Sequence, residues 1–186
     1  MNFLETYNKL FNDPNYNKHD SSELRYQHVV NYINNNKEIK NIIDISSGRG
    51  ILLIMISNLF PKINITSTDI NKYNELNFKF HKLNLINNED YMQIPNNFDL
   101  LTCLDVLEHI DYQNIENVLD NLSRLSKNFI FTIANHIDIQ NGIDVHLIKE
   151  DTVYWNNILS KKYIINNCEE KNFNGNYLYI YNLSSK

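Results

Sequence analysis

Five polar side chains close five apolar runs along this chain: Asp44, Asp69, Asn84, Asp105 and Asn135. In open α/β sheets, ligands bind in the crevice outside the carboxyl ends of the strands, so residues placed there face the ligand. One such residue carries little weight, but five along one sheet edge make a polar cleft suited to a nucleoside-bearing ligand. Asp69 lies about twenty residues beyond a glycine-bearing turn, the place where an acid accepts hydrogen bonds from ribose hydroxyls in nucleotide-binding βαβ units. Two histidines, His136 and His146, sit in the loop that follows the fifth apolar run. Either can take a proton from an acceptor hydroxyl near neutral pH, because the loop leaves the carboxyl end of a central strand, with His146 the first choice and His136 the second. The same loop carries Asp138 and Asp144, but the spacing fits no compact metal-ligand pattern and no metal is assigned.

These side chains need a frame to hold them. Asn41-Ile42-Ile43-Asp44-Ile45 reads as a short buried strand, followed by the turn Ser46-Ser47-Gly48-Arg49-Gly50, which uses two of the chain's four glycines. Glycine serves where the backbone takes φ > 0 or approaches a ligand closely. The helix N-terminus that follows offers unpaired N–H groups to such a ligand. Ahead of the turn, Asp20-Ser21-Ser22-Glu23 has the form of a capping box opening a helix whose apolar face is Leu24, Val29, Val30 and Ile33. Beyond it, periodicity predicts helices over 51–60, 72–80, 115–125 and 149–159, and strands over 63–69, 81–85, 98–104 and 129–134. Trp155 in the last helix is placed against the sheet or the acceptor pocket. Residues 162–168 and 177–183 read as two strands joined at Asn174-Gly175, a strong hairpin signal.

The turn after the first strand resembles motif I of the class I S-adenosylmethionine-dependent methyltransferases, an acid followed by three alternating glycines. Asp44, Gly48 and Gly50 match it, and Ser46 replaces the first glycine. The stretch Phe98-Asp99 through Asp105-Val106-Leu107-Glu108-His109 resembles the fourth-strand signature of the same family, in which the Glu-His pair more often supports the loop than acts as a base. The resemblance runs from about residue 20 to the C-terminus. It implies a Rossmann-like α/β fold with a seven-stranded, mostly parallel sheet, a C-terminal antiparallel hairpin and helices on both faces. It also implies one domain over 1–186, with a helical cap at 1–37 and the core at 38–186. S-adenosylmethionine is the implied cofactor. Asp44, Ser46, Gly48 and Gly50 would line its methionine side, and Asp69 and Ile70 its ribose. Asn84, where relatives often carry Asp, and Leu85 would take the adenine side, with Asp105 and Val106 closing the cleft. Arg25 and Tyr26 on the leading helix are further contacts of cofactor or substrate.

Composition narrows the choice of acceptor. The net charge of −5 and pI near 5.6 disfavour non-specific attraction to phosphate or anionic lipid. No apolar run reaches a membrane span, and Met1–Tyr7 carries no signal-peptide pattern. Cys103 and Cys168 lie far apart, consistent with a reducing, cytoplasmic setting. The richness in Asn, Ile, Lys and Tyr is that of an AT-rich genome, as in some viruses and reduced bacteria. The third glycine of GxGxxG is absent, as are GK[ST], the (N/D/S)PP(Y/F/W) sequence and the Pro-Cys nucleophile of nucleic-acid methyltransferases. With no separate acceptor domain, the expected partner is a small-molecule or sugar-like acceptor methylated at a hydroxyl, with no nucleic acid. The alternative is a non-catalytic protein that binds S-adenosylmethionine or S-adenosylhomocysteine on the same fold, or an interaction protein.

Overall fold

The computed structural model describes residues 21–72, 76–140 and 142–186. Asp20, the first residue of the expected capping box, lies outside them, as do the residues before it. The described chain opens with α1 (Ser21–Asn35), which leads into β1 (Asn41–Ile45) and α2 (Ile51–Leu59). β2 (Asn64–Asp69), β3 (Lys79–Lys82), the single turn α3 (Asn88–Tyr91) and β4 (Phe98–Leu104) follow. A 3₁₀ turn (Leu107–His109) precedes α4 (Ile115–Ser123) and β5 (Ser126–Asn135). The chain then forms the two-residue strands β6 (Ile139–Gln140) and β7 (Ile143–Asp144), α5 (Thr152–Leu159), β8 (Tyr163–Phe173) and β9 (Asn176–Ser185).

Seven strands form one sheet in the order β3-β2-β1-β4-β5-β9-β8. The first five are parallel, and β9 inserts antiparallel between β5 and β8. The expected α/β architecture is therefore the observed one. The strand order reverses between β1 and β4, and Asp44 pairs in register with Thr102 there, so the ends of both strands open onto the crevice at that switch point.

Period-two alternation sends neighbouring side chains to opposite faces. Ile42, Leu100 and Ile130 pack beneath α1 and α2 with Val29, Ile33, Leu53 and Ile56. Ile43, Leu101, Phe129 and Phe131 face the other way, onto α4 and α5 with Val118, Leu122, Trp155 and Leu159. Trp155 is fully buried in that second cluster, so of its two expected positions it takes the one against the sheet.

Several boundaries differ from the sequence reading: β3 is Lys79–Lys82 rather than 81–85, and β5 and β8 run longer than expected. The helix expected over 72–80 partly covers residues 73–75, outside the described ones; in the remainder, Lys79 and Phe80 belong to β3. Leu76, Phe78 and Phe80 are half-buried and alternate with exposed Asn77 and Lys79, a period of two, and pairing with β2 fixes the segment as an edge strand. The last helix starts at Thr152 rather than 149 because the Asp151 carboxylate accepts the N–H groups of Val153 and Tyr154, at 2.9 and 3.1 Å. That is an N-cap, and it sets where the helix begins. The hairpin turns at Asn174-Gly175 with φ of 56° and 89°, the left-handed pair that a two-residue turn of this kind requires.

Candidate functional site

Asp44 is the penultimate residue of β1, and its carboxylate is buried because strands lie on both sides of it. Thr102 on β4 donates its hydroxyl to Asp44 Oδ1 at 2.5 Å, and Thr68 on β2 donates to the Asp44 carbonyl at 3.1 Å. Burial pushes the Asp44 carboxyl up to about 7, against the lowering effect of the Thr102 bond, and the nearby Asp69 charge pushes it further.

The chain then turns sharply. Ser46 takes φ 55°, the left-handed conformation that a glycine would adopt without penalty and that costs an L-residue roughly 1–2 kcal/mol. Bonds to β2 hold the turn: Ser47 N–H donates to the Thr68 carbonyl at 2.9 Å, and Gly48 N–H donates to Asp69 Oδ2 at 2.8 Å. Gly50, at φ 73°, stands at the N-cap of α2.

Asp69 thus has a duty that sequence reading did not foresee. Its Oδ2 accepts Gly48 N–H and its Oδ1 accepts Ile70 N–H at 2.7 Å, so it fastens the glycine turn to the end of β2. Asn71 N–H also bonds this carboxyl, so three of its four lone-pair sites are taken and one is left for a ligand. Burial raises this carboxyl to about 6, opposed by the backbone bonds from Gly48, Ile70 and Asn71.

An open cavity of about 60 Å³ lies here, lined by Tyr26, Asp44, Ile45, Ser46, Ser47, Leu52 and Leu104. It is small beside the roughly 300–1,000 Å³ of drug-sized pockets, with room for one end of a nucleoside-sized molecule. Two buried carboxylates at its wall and beside it suit a ligand end that carries positive charge. Tyr26 lines it from α1, its hydroxyl held protonated chiefly by burial and then by the Asp44 charge.

Further along the edge, Asn84 N–H donates to Asp90 Oδ2 at 2.8 Å, and the Asn84 side-chain oxygen accepts Ile86 N–H at 3.3 Å. Leu85 is buried, and its carbonyl accepts the Tyr91 hydroxyl at 3.0 Å. At the end of β4, Asp105 also takes a left-handed conformation, φ 54°. Thr132 donates to its Oδ1 at 2.6 Å, and Arg25 of α1 forms an ion pair with its Oδ2. Val106 beside it is buried in the core. Arg25 and Tyr26 thus both reach the sheet edge.

His136 and His146 come together with a third ring, His109, at the ends of β4 and β5. The His146 ring centroid lies 4.7 Å from that of His109 and 4.9 Å from that of His136, each pair edge to face. His146 is buried and its Nδ1 meets the His136 carbonyl at 2.8 Å; His109 Nδ1 meets the Val145 carbonyl at 2.8 Å. A carbonyl only accepts, so both Nδ1 atoms carry the proton and both Nε2 atoms are the basic nitrogens. Burial holds His109 down at about 4 and also lowers His136, with the His146 ring reinforcing both shifts.

Glu108 is the residue that sequence reading undervalued. Its side chain is fully buried, Oε1 accepts Ala134 N–H at 2.8 Å, and its carbonyl accepts Leu147 and Ile148 N–H at 2.7 and 3.0 Å. The Glu-His pair does support the loop. Thr68, Thr102 and Thr132, which anchor the strand-end acids, are not marked out by the sequence, although each is a hydroxyl opposite or beside one of those acids.

Residues 16–175 match the model of a methyltransferase-domain family, and the chain belongs to that family. It is 36% identical over 122 residues to the ribosomal RNA small subunit methyltransferase G of Malacoplasma penetrans (strain HF-2), a match covering 58% of this chain and 51% of that protein. The match thus spans about half the length of that curated relative. Magnesium protoporphyrin IX methyltransferase from Synechocystis PCC 6803, solved with bound S-adenosylhomocysteine, superposes with a TM-score of 0.68 at 14% identity, covering 99% of this chain and 94% of the other. The N-methyltransferase NodS from Bradyrhizobium japonicum WM9, also solved with S-adenosylhomocysteine, gives 0.69 at 11% identity, covering 97% and 98%. At such identities these two likenesses are of fold.

The ribosomal-RNA relative overturns the expectation of a small-molecule or sugar-like partner with nucleic acid excluded. That expectation rests on the absence of a separate acceptor domain and of two nucleic-acid methyltransferase motifs, with net charge in agreement; net charge describes the whole surface and speaks to non-specific attraction, not to a local acceptor contact.

Proposed function

We propose that this member of the methyltransferase-domain family transfers the methyl group of S-adenosylmethionine to RNA, at a hydroxyl oxygen. The observation that carries the cofactor half is the fastening of the Ser46–Gly50 turn between two buried acids, with a cavity at its side. The 36%-identical ribosomal RNA methyltransferase supports the acceptor half.

S-adenosylmethionine, when bound, supplies an electrophilic methyl carbon on a sulfonium that leaves as a neutral thioether. The protein's task is therefore position, orientation and exclusion of water. Asp44 and the backbone of Ser46, Gly48 and Gly50 hold the methionine end, where the buried carboxylates favour positive charge. Asp69 and Ile70 meet the ribose, Asn84 and Leu85 the adenine, and Asp105 and Val106 close the cleft beside the acceptor. The acceptor proton goes to an imidazole nitrogen, of His146 or of His136. Lowered basicity keeps His136 unprotonated at neutral pH and able to accept.

Incubating the protein with methyl-labelled S-adenosylmethionine and parallel pools of RNA, DNA, protein and small hydroxylated molecules tests this reading. Label should enter RNA, as an alkali-stable O-methyl group, and should be lost with Asp69→Ala. Label entering only the other pools would refute the acceptor, and no label in any pool would refute turnover.

A further inference from the structure

Among the described residues, a second polar cluster gathers beyond the ends of β4 and β5. We propose that Glu108, His109 and His146 form a binding site for a divalent transition metal of the zinc, cobalt or manganese class, beyond the carboxyl ends of β4 and β5.

One ligand-capable atom from each of the three residues lies within 4.8 Å of the others. Tetrahedral ligands at about 2.1 Å from an ion stand roughly 3.4 Å apart, so a modest inward rotation of these side chains closes the set. Glu108 is the strongest pointer. Its Oε2 is buried and has no hydrogen-bond partner, while Oε1 is fixed on Ala134 N–H. A buried carboxylate with one bare oxygen is costly unless a cation stands beside it.

The two histidines are oriented as ligands are. Each gives its Nδ1 proton to a backbone carbonyl, of Val145 and of His136, which fixes the ring and makes Nε2 the donor nitrogen. That outer bond is the usual support of a metal-bound imidazole. The frame is tied as well, since the Glu108 carbonyl accepts the N–H groups of Leu147 and Ile148, just after His146. A second carboxylate, Asp138 Oδ2, stands 3.9 Å from His146 Nε2, beyond hydrogen-bond reach and near enough to join or balance the ion. Two imidazoles and one carboxylate select borderline cations over magnesium or calcium, which prefer all-oxygen shells.

Three protein donors leave coordination positions for oxygen ligands. On the reading proposed above, the neighbouring acceptor hydroxyl is a fitting one, and His136 is then left as the base. The metal site itself does not depend on that reading.

The test uses the full chain, stripped with a chelator and dialysed against Zn²⁺, Co²⁺ or Mn²⁺ separately. One ion per chain should be retained, the Co²⁺ form should show ligand-field absorption in the visible, and metal should raise the melting temperature. Glu108→Gln, which keeps an oxygen for Ala134 N–H, and His146→Gln should each weaken retention at least about tenfold, whereas His81→Gln on β3 should not. If both cluster variants fail to fold, electron paramagnetic resonance of the wild-type protein loaded with Cu²⁺ decides, with coupling from two imidazole nitrogens expected. No retained ion, retention unchanged in the folded variants, or a Cu²⁺ spectrum without two imidazoles would overturn the site. S-adenosylhomocysteine titration run in parallel separates this failure from failure of the cofactor cleft.

Discussion

The β1–β2 end of the sheet and the β4–β5 end solve opposite problems with the same backbone. At the first, Asp69 accepts the backbone N–H groups of Gly48, Ile70 and Asn71, and Asp44 accepts the Thr102 hydroxyl from the adjoining β4, so both acids are engaged by protein donors. At the second, Glu108, His109, His136 and His146 meet from separate segments, and two polar atoms, Glu108 Oε2 and His136 Nδ1, are buried without hydrogen-bond partners. A satisfied acid serves as scaffold and ligand contact together, whereas an orphaned donor or acceptor marks a place built for something else. The cofactor end is thus organised by local turn chemistry, and the histidine end by tertiary assembly.

The largest effect should follow from Asp69→Ala, which removes the acceptor for Gly48 and Ile70 N–H. Denaturant unfolding should show a loss of about 2 kcal/mol. A loss below a few tenths would mean that the turn holds its shape without β2.

Next comes pH. The Asp44 and Asp69 carboxyls sit at about 7 and about 6 in the fold against an ordinary value of 3.8. The folded state therefore binds more protons than the unfolded chain between those limits. Their contribution is fully present below pH 3.8 and is lost as pH rises through 6 to 7. Because the two acids interact, the steps belong to the pair. Asp44→Asn should make stability fall less steeply over that range, by up to about 1.4 kcal/mol per pH unit. Identical slopes for variant and parent, measured by denaturation at several pH values, would contradict the burial of Asp44.

Ser46→Gly should act more weakly. Relief of the φ 55° conformation is partly offset by the larger entropy of an unfolded glycine, leaving a gain of no more than about 1 kcal/mol. A lower melting temperature would show that the serine side chain contributes more than its backbone costs. The smallest effect sharpens the contrast between the two ends. His146→Gln should leave affinity for S-adenosylhomocysteine unchanged within about 0.5 kcal/mol, as for independent sites. A larger change by calorimetry would join the two ends into one site.

The two ends also differ in how far a sequence reveals them. Asp44, Gly48, Gly50 and Asp69 were legible because a strand, a glycine turn and a strand-end acid repeat at fixed local spacing. Asn174-Gly175 was legible for the same reason, since the turn type dictates its residues. The third strand is legible only at His81-Lys82; its first half, Lys79-Phe80, reads as the end of a helix because two phenylalanines and a leucine in a short polar run fit either period, and only pairing with β2 decides. The histidine cluster was illegible as a unit. His136 and His146 were singled out one at a time, but what brings Glu108 and His109 to them is the backbone pairing of Glu108 with Leu147 and Ile148 and the bond of His109 to Val145. No short-range pattern encodes contacts made across such separations.

The most direct test of the cofactor cleft is calorimetric titration of the protein with S-adenosylmethionine and S-adenosylhomocysteine, repeated on Asp69→Ala. Binding that Asp69→Ala weakens by about 1–3 kcal/mol is the predicted result. No binding of either ligand, or binding indifferent to Asp69, would contradict the cleft and leave the chain with its family's fold and without its family's chemistry.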